Sequence, residues 1–172
     1  MKIRINFKAV IVILFGIFCL YVYFRLINPY LDVGGNSKIV SEDIFTRKVV
    51  YINSERYSYW TNGVTDPSKI YVMLPPSTAT GDYFGKYAIA LPKNVLVIAP
   101  DYPGRGLTDS LKTFDTAPLI AYRVGVLLKN LIPNETFSIF APSFGGMIGT
   151  YLALDSELNV EKLYLVATGE FF

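Results

Sequence analysis

The chain has 172 residues, of which 52% are hydrophobic, and its formal net charge at pH 7 is +2. This length is enough for one domain with a buried core but not for two. The small net charge argues against nucleic acid as a partner, and the single cysteine, Cys19, excludes an intramolecular disulfide. The sequence contains no histidine.

The N-terminal segment, residues 1–27, is predicted to be a transmembrane signal anchor. Basic residues precede an uncharged run over 9–24, which is slightly shorter than a bilayer core and is extended by apolar neighbours. Because basic residues stay on the cytoplasmic side, we expect a cytoplasmic N-terminus, an extracytoplasmic domain and the membrane as a partner. A cleaved signal peptide and a buried core helix are the alternatives, although bulky residues after the run offer no cleavage site.

The next segment, residues 28–41, contains proline and glycine and is predicted to be a linker. The folded domain then spans 42–172. Two segments rich in β-branched and aromatic residues, 47–52 and 55–60, are separated by an Asn-Ser dipeptide that suits a turn. This pattern predicts an antiparallel hairpin at the start of the domain.

Four short apolar runs follow, and each is about five residues long, as expected for strands that are buried on both faces. These runs lie at 70–74, 95–99, 137–141 and 163–167. Segments with helical patterns separate them, at 83–91, 116–131 and 145–155. Alternating strands and helices predict a mainly parallel sheet with right-handed crossovers.

A serine stands at the junction between the third apolar run and the helix that follows it. The stretch is Ala141-Pro142-Ser143-Phe144-Gly145, a Gly-x-Ser-x-Gly pattern with alanine at its first position. A serine in such a strained turn projects its hydroxyl beyond the sheet, and the residues two before and two after it are expected to be small because they cross closely. The stretch resembles the nucleophile elbow of the α/β-hydrolase family. An ordinary Ser/Gly turn between a strand and a helix is the alternative.

A second stretch, which begins at the end of the run 95–99, resembles another signature of that family. Asp101, Gly104 and Gly106 match the family's Pro-Asp-x-x-Gly-x-Gly-x-Ser pattern, and Thr108 stands where serine is usual. We expect Asp101 to accept backbone hydrogen bonds within its loop and so to have a structural role. The two motifs occur in the order and at the spacing that the family shows.

The resemblance covers about residues 45–172 and implies the fold class. This is an α/β fold with a mainly parallel sheet of the α/β-hydrolase type, C-terminally truncated and preceded by one N-terminal transmembrane helix. In that family an Asp or Glu and then a His follow the serine, and this chain has one strand after the serine and no histidine. We expect a truncated or incompletely recorded sequence, and the alternatives are a degenerate homologue or a half that pairs with a second chain. The strand at 163–167 would then be an exposed apolar edge.

The resemblance also implies roles for site residues. Ser143 would be the nucleophile, and the N–H of Phe144 would donate to the oxyanion. Proline has no N–H, and two prolines stand where the family has a His-Gly pair, so the second donor would be the N–H of Ser77 or of Thr78. A proline-stiffened loop without a catalytic contact is the simpler alternative.

The expected function is that of a membrane-anchored serine hydrolase acting on an ester or related acyl bond of a small-molecule substrate. A serine nucleophile argues against the family branches that use aspartate, such as the epoxide hydrolases. We expect no cofactor and no metal, and we expect this chain alone to be inactive because the acid and the base are absent. The alternatives are a non-catalytic, membrane-tethered binding module or degenerate fragment, and an acyltransferase on the same scaffold. The substrate and the oligomeric state stay open.

Overall fold

The computed structural model describes residues 16–18 and 44–168, and the elements that follow lie in one compact unit, Val40–Phe172. Within 44–168 the chain forms six strands, three α-helices and one 3₁₀ turn. The strands are β1 Thr46–Ile52, β2 Glu55–Thr61, β3 Lys69–Met73, β4 Val95–Pro100, β5 Thr136–Pro142 and β6 Asn159–Val166. The 3₁₀ turn is Gly81–Phe84, and the helices are α1 Gly85–Ala90, α2 Ala117–Leu131 and α3 Phe144–Ala153.

The predicted fold class needs one correction, which concerns the transmembrane helix. Among residues 16–18 and 44–168, no helix is both long enough and apolar enough to cross a bilayer. Of the predicted anchor, only residues 16–18, which are helical, lie in the described part. The transmembrane helix is therefore removed from the fold assignment.

The six strands form a single sheet in the order β1-β2-β4-β3-β5-β6. β1 and β2 are antiparallel, and β2 is antiparallel to β4, whereas β4, β3, β5 and β6 run parallel to one another. The sheet is therefore mainly parallel, as predicted. Because parallel strands end at the same edge, the loops that follow β3, β4 and β5 meet at the carboxyl edge of the sheet.

The predicted hairpin is present at the antiparallel end of the sheet. Residue pairs run from Thr46 opposite Thr61 to Ile52 opposite Glu55, which leaves a two-residue connection. Asn53 and Ser54 both have positive φ, at 51° and 65°. Two consecutive positive φ angles are the signature of a type I′ turn, whose twist matches that of paired strands.

Two apolar clusters cover the two faces of the sheet, so the domain has three layers. On one face, alternate residues of β3, β4 and β5 pack against α2 and α3; examples are Val72, Ile98 and Ile139. On the other face, the intervening residues, such as Val97 and Met73, pack against the 3₁₀ turn and α1. This alternation explains why the strands have continuous apolar sequences: both of their faces are buried.

Most elements lie within one or two residues of their predicted bounds, and two differ by more. The last strand begins at Asn159, four residues before the apolar run, because polar residues at the start of β6 also pair with β5. The exposed apolar edge predicted there is present, since Tyr164, Leu165 and Val166 are 42–47% exposed. The helix predicted over 83–91 is divided into the 3₁₀ turn and the short helix α1.

Candidate active site

Ser143 lies between the last residue of β5 and the first residue of α3, at the carboxyl edge of the sheet. Its backbone has φ 51° and ψ −124°, a conformation that non-glycine residues rarely adopt. Its side chain is exposed, and its N–H donates to the carbonyl oxygen of Val166 at 2.9 Å, which ties the turn to β6. The chain therefore passes from strand to serine to helix through a strained turn, as the sequence predicted.

Small residues around Ser143 allow close packing between the start of α3 and the strands. A Cβ on Gly145 would overlap the carbonyl oxygen of Leu74, just after β3, and would lie 3.0 Å from its carbonyl carbon. Ala141 is also closely approached by α3, since a Cβ on Gly149 would lie 3.3 Å from the Cβ of Ala141. Gly145 thus lets the start of α3 rest directly on the backbone that follows β3.

The backbone N–H groups proposed as oxyanion donors belong to two neighbouring segments. Phe144 is the first residue of α3, so its N–H has no partner within the helix, and no residue in 44–168 accepts from it. Ser77 is exposed in the turn after β3, which the N–H of Ala79 closes by donating to Pro76 O at 3.1 Å. The N–H of Leu74 donates to Phe140 O at 2.9 Å, so the segment leading to Ser77 runs beside the end of β5.

Tyr102 is a residue near this edge whose role the sequence did not reveal. It follows β4, and its hydroxyl donates to the carbonyl oxygen of Pro75 at 2.9 Å. Its ring packs edge-to-face against the ring of Phe144, with 5.8 Å between centroids. Burial raises the pKa of Tyr102 well above its usual value, so the hydroxyl stays protonated and can donate. The sequence feature that could have indicated this role is the position of Tyr102 directly after Asp101 in the second motif.

Asp101 has the structural role that the sequence predicted, but most of its partners lie outside its own loop. Its carboxylate accepts from the N–H of Gly81 at 2.8 Å and from the hydroxyl of Ser58 at 2.6 Å. The guanidinium of Arg47 lies 3.4 Å away. Gly106 has φ 55°, and a Cβ there would overlap the Asp101 carboxylate, so this glycine is required for both reasons. The carboxylate joins the loop after β4 to β2 and to the 3₁₀ turn.

Asp101 is expected to make stability depend on pH. Burial raises its pKa, and the hydrogen bonds from Ser58 and Gly81 and the charge of Arg47 only partly oppose that shift. A carboxyl whose pKa is higher in the folded state binds its proton more tightly there, so its stabilising contribution is complete at low pH and is lost as pH rises through that raised pKa. The wild type should therefore gain stability relative to Asp101→Asn as pH falls from about 7 to about 4.

Urea denaturation of the two proteins across this range measures that difference. Asparagine is a suitable control because it is nearly isosteric and does not titrate, while its amide oxygen can still accept from Gly81. A wild type that instead loses stability relative to Asp101→Asn on acidification would show that the Arg47 charge outweighs burial.

The described residues do not contain the groups that would complete a catalytic triad or a metal site. No histidine is present in the sequence. In the part of the chain that the structure describes, no group of three or more His, Cys, Asp or Glu residues could hold a metal ion. A surface depression lined by Lys129, Asn134 and Asn159, among others, lies at the amino ends of β5 and β6, the opposite edge from Ser143. It is therefore separate from the candidate site.

Comparison with solved structures identifies several similar folds. The epoxide hydrolase CorEH matches 74% of this chain with a TM-score of 0.63 and 24% identity, and the match covers 46% of that protein. A thermophilic esterase matches 73% with a TM-score of 0.58 and 19% identity, covering 45% of the esterase. A bacterial membrane phospholipase A matches 96% with a TM-score of 0.68 and 17% identity, covering 53% of the phospholipase.

The chain thus spans about half the length of these solved proteins. At such identities the likeness establishes the fold and leaves the reaction to be argued from the site. No protein-family model matches the sequence, and no curated protein matches it either.

Proposed function

We propose that this chain, which has the α/β-hydrolase fold, carries the nucleophile of a serine hydrolase acting on an ester or a related acyl bond. The observation that carries the proposal is the backbone of Ser143, held at φ 51° and ψ −124° between a parallel strand and a helix. Strain of this kind persists only where the surroundings impose it, and it clusters at functional sites. The exposed hydroxyl is available to a substrate.

The chemistry of serine favours an acyl substrate. Attack by Ser143 Oγ on an acyl carbonyl breaks the bond to the substrate's alcohol or other leaving group, which departs with a proton, and gives an acyl ester of the serine. Water can hydrolyse this ester in a second step, which releases the carboxylic acid and restores the serine hydroxyl. Attack on an epoxide would instead give a stable ether, so the likeness to an epoxide hydrolase does not extend to that reaction. An esterase and a phospholipase among the similar structures support the acyl assignment.

The arrangement suits charge development during this attack. The carbonyl oxygen becomes an oxyanion, which would accept from Phe144 N–H and Ser77 N–H. The first of these belongs to the amino end of α3, where the helix dipole also favours negative charge. The serine proton needs an acceptor, and no histidine occurs among the 172 residues. A histidine base would therefore have to come from polypeptide outside them.

The experiment is covalent labelling of the product of the intact gene with a fluorophosphonate, followed by peptide mapping. We expect one label, on Ser143, and none on the exposed Ser77 and Ser110, which serve as internal controls. Denaturation before labelling should abolish it, because the nucleophile depends on the fold. A folded sample that hydrolyses no ester and takes no label at Ser143 would contradict the proposal.

The absence of histidine favours one alternative, a non-catalytic module that binds a ligand at the same edge of the sheet. Such a module would keep the strained Ser143 without an activated hydroxyl. The labelling experiment separates the two functions, because a binding module would remain unlabelled while folded.

A further inference from the structure

We propose that Tyr102 is a positioning residue of the oxyanion hole, because this one side chain fixes both backbone segments that carry the donors. The inference rests on the function proposed above and assigns to that reaction a residue that lies on a third loop. Tyr102 itself does not contact the reacting atoms in this scheme, since its hydroxyl is engaged by Pro75 and its ring by Phe144.

The hydroxyl of Tyr102 holds the segment that leads to Ser77. Tyr102 is 1% exposed, and Pro75 is fully buried, so the carbonyl of Pro75 depends on this hydroxyl for its hydrogen bond. Between the bonded carbonyl and the Ser77 N–H lie only the φ and ψ rotations of Pro76, and proline fixes φ near about −65°. The Pro76 carbonyl, which shares a peptide plane with the Ser77 N–H, also accepts from Ala79, so holding the Pro75 carbonyl restricts the direction of the Ser77 N–H.

The ring of Tyr102 holds the other donor. It packs edge-to-face against the ring of Phe144, whose own N–H is the donor next to Ser143. Tyr102 belongs to the same buried core cluster as Ile120 and Ala121 of α2. One buried side chain thus contacts both segments that carry the donors.

Other contacts hold the elbow in place without the hydroxyl. Gly145 rests on the carbonyl of Leu74, and the N–H of Leu74 donates to Phe140 O at 2.9 Å. Both contacts lie before the two prolines. Removing the hydroxyl should therefore leave Ser143 and the fold unchanged and release only the segment from Pro75 to Ser77.

The test compares Tyr102→Phe with Tyr57→Phe in the product of the intact gene, assayed on a p-nitrophenyl ester. Tyr57 is a matched control because it is 3% exposed and its hydroxyl contacts Glu55, away from the elbow. Misplacing one oxyanion donor should lower kcat about 10- to 100-fold in Tyr102→Phe. We expect KM to stay within about twofold, because the oxyanion forms only in the transition state. The amide of Ala79, which donates to Pro76 O at 3.1 Å and closes the turn that holds Ser77, should exchange faster with solvent in Tyr102→Phe and not in Tyr57→Phe.

A Ser77→Pro variant removes the donor itself. Ser77 occupies the second position of the turn Pro76 to Ala79, where proline is favoured, so the turn should persist without that N–H. Its loss of kcat should equal or exceed that of Tyr102→Phe, and the double variant should be no slower than Ser77→Pro alone. This non-additivity is what a purely structural role of Tyr102 would not produce.

The outcomes are distinguishable. If the wild type hydrolyses the ester but Tyr102→Phe matches Tyr57→Phe in kcat, or Ser77→Pro keeps full kcat, the assignment of Tyr102 is overturned while the hydrolase proposal stands. If the wild type neither hydrolyses the ester nor takes the label at Ser143, the proposed function fails, and the role of Tyr102 fails with it. Reduced kcat at unchanged KM, with faster exchange at Ala79, supports the assignment.

Discussion

Replacing Gly145 by alanine is expected to destabilise the domain by about 3 kcal/mol. The added Cβ would overlap the carbonyl oxygen of Leu74, which is backbone and cannot rotate away as a side chain could. Either the end of β3 or the start of α3 would have to move, and both carry the candidate site. Alanine favours a helix over glycine by about 1 kcal/mol, which offsets only part of this cost.

Gly125 provides the matched control for this prediction. It is also a buried helical glycine, but a Cβ there would lie 3.6 Å or more from its nearest neighbours, which is an ordinary contact distance. Gly125→Ala should therefore be neutral or more stable by up to about 1 kcal/mol. Urea denaturation of both variants measures the difference. Equal stability of Gly145→Ala and Gly125→Ala would show that the helix and β3 are not closely packed in solution.

The sequence alone located most of the elements. Buried parallel strands have continuous apolar runs, which differ from the periodic apolar pattern of amphipathic helices. Apolar runs did not predict the first residues of β6, which are partly polar. An edge strand has an exposed side, which needs no apolar residues. The sequence also did not show that the segment after β3 is divided into a 3₁₀ turn and α1, or that Gly81 packs against the backbone of Ala99. Neither local pattern nor propensity encodes such a contact.

The sequence predicted the strained turn at Ser143 but not the hydrogen bonds that surround it. The motif around Ser143 indicated a strained turn, because the requirement for that turn is local. The partners of Asp101 were wrongly expected within its own loop, whereas the structure supplies them from Ser58 and Gly81, far away in sequence. The sequence did not indicate a role for Tyr102, because its bond to Pro75 depends on how two loops meet. Long-range hydrogen bonds are therefore the part of the site that needed the structure.

Two substitutions of Ser143 are expected to have the same effect on hydrolysis and different effects on stability. Ser143→Ala and Ser143→Gly both remove the hydroxyl, so ester hydrolysis by the product of the intact gene should fall by about 10⁴-fold or more. Alanine keeps a Cβ at φ 51°, so the stability of that variant should stay near that of the wild type. Glycine relieves the strain and should raise stability by about 1 kcal/mol, after its own entropic cost.

Asn134→Gly is the control for the effect of glycine at a positive φ. Asn134 has φ 64°, but asparagine tolerates this region, so we expect a gain of only a few tenths of a kcal/mol. Urea midpoints of the variants measure the stabilities, and p-nitrophenyl ester hydrolysis measures the activity.

If Ser143→Gly is no more stable than Ser143→Ala, the turn is not strained, and the backbone conformation of Ser143 no longer supports the proposed function. If Ser143→Ala still hydrolyses the ester at the wild-type rate, another residue is the nucleophile. A variant that is more stable and inactive would show that the strain at Ser143 is maintained for its chemistry and not for the fold.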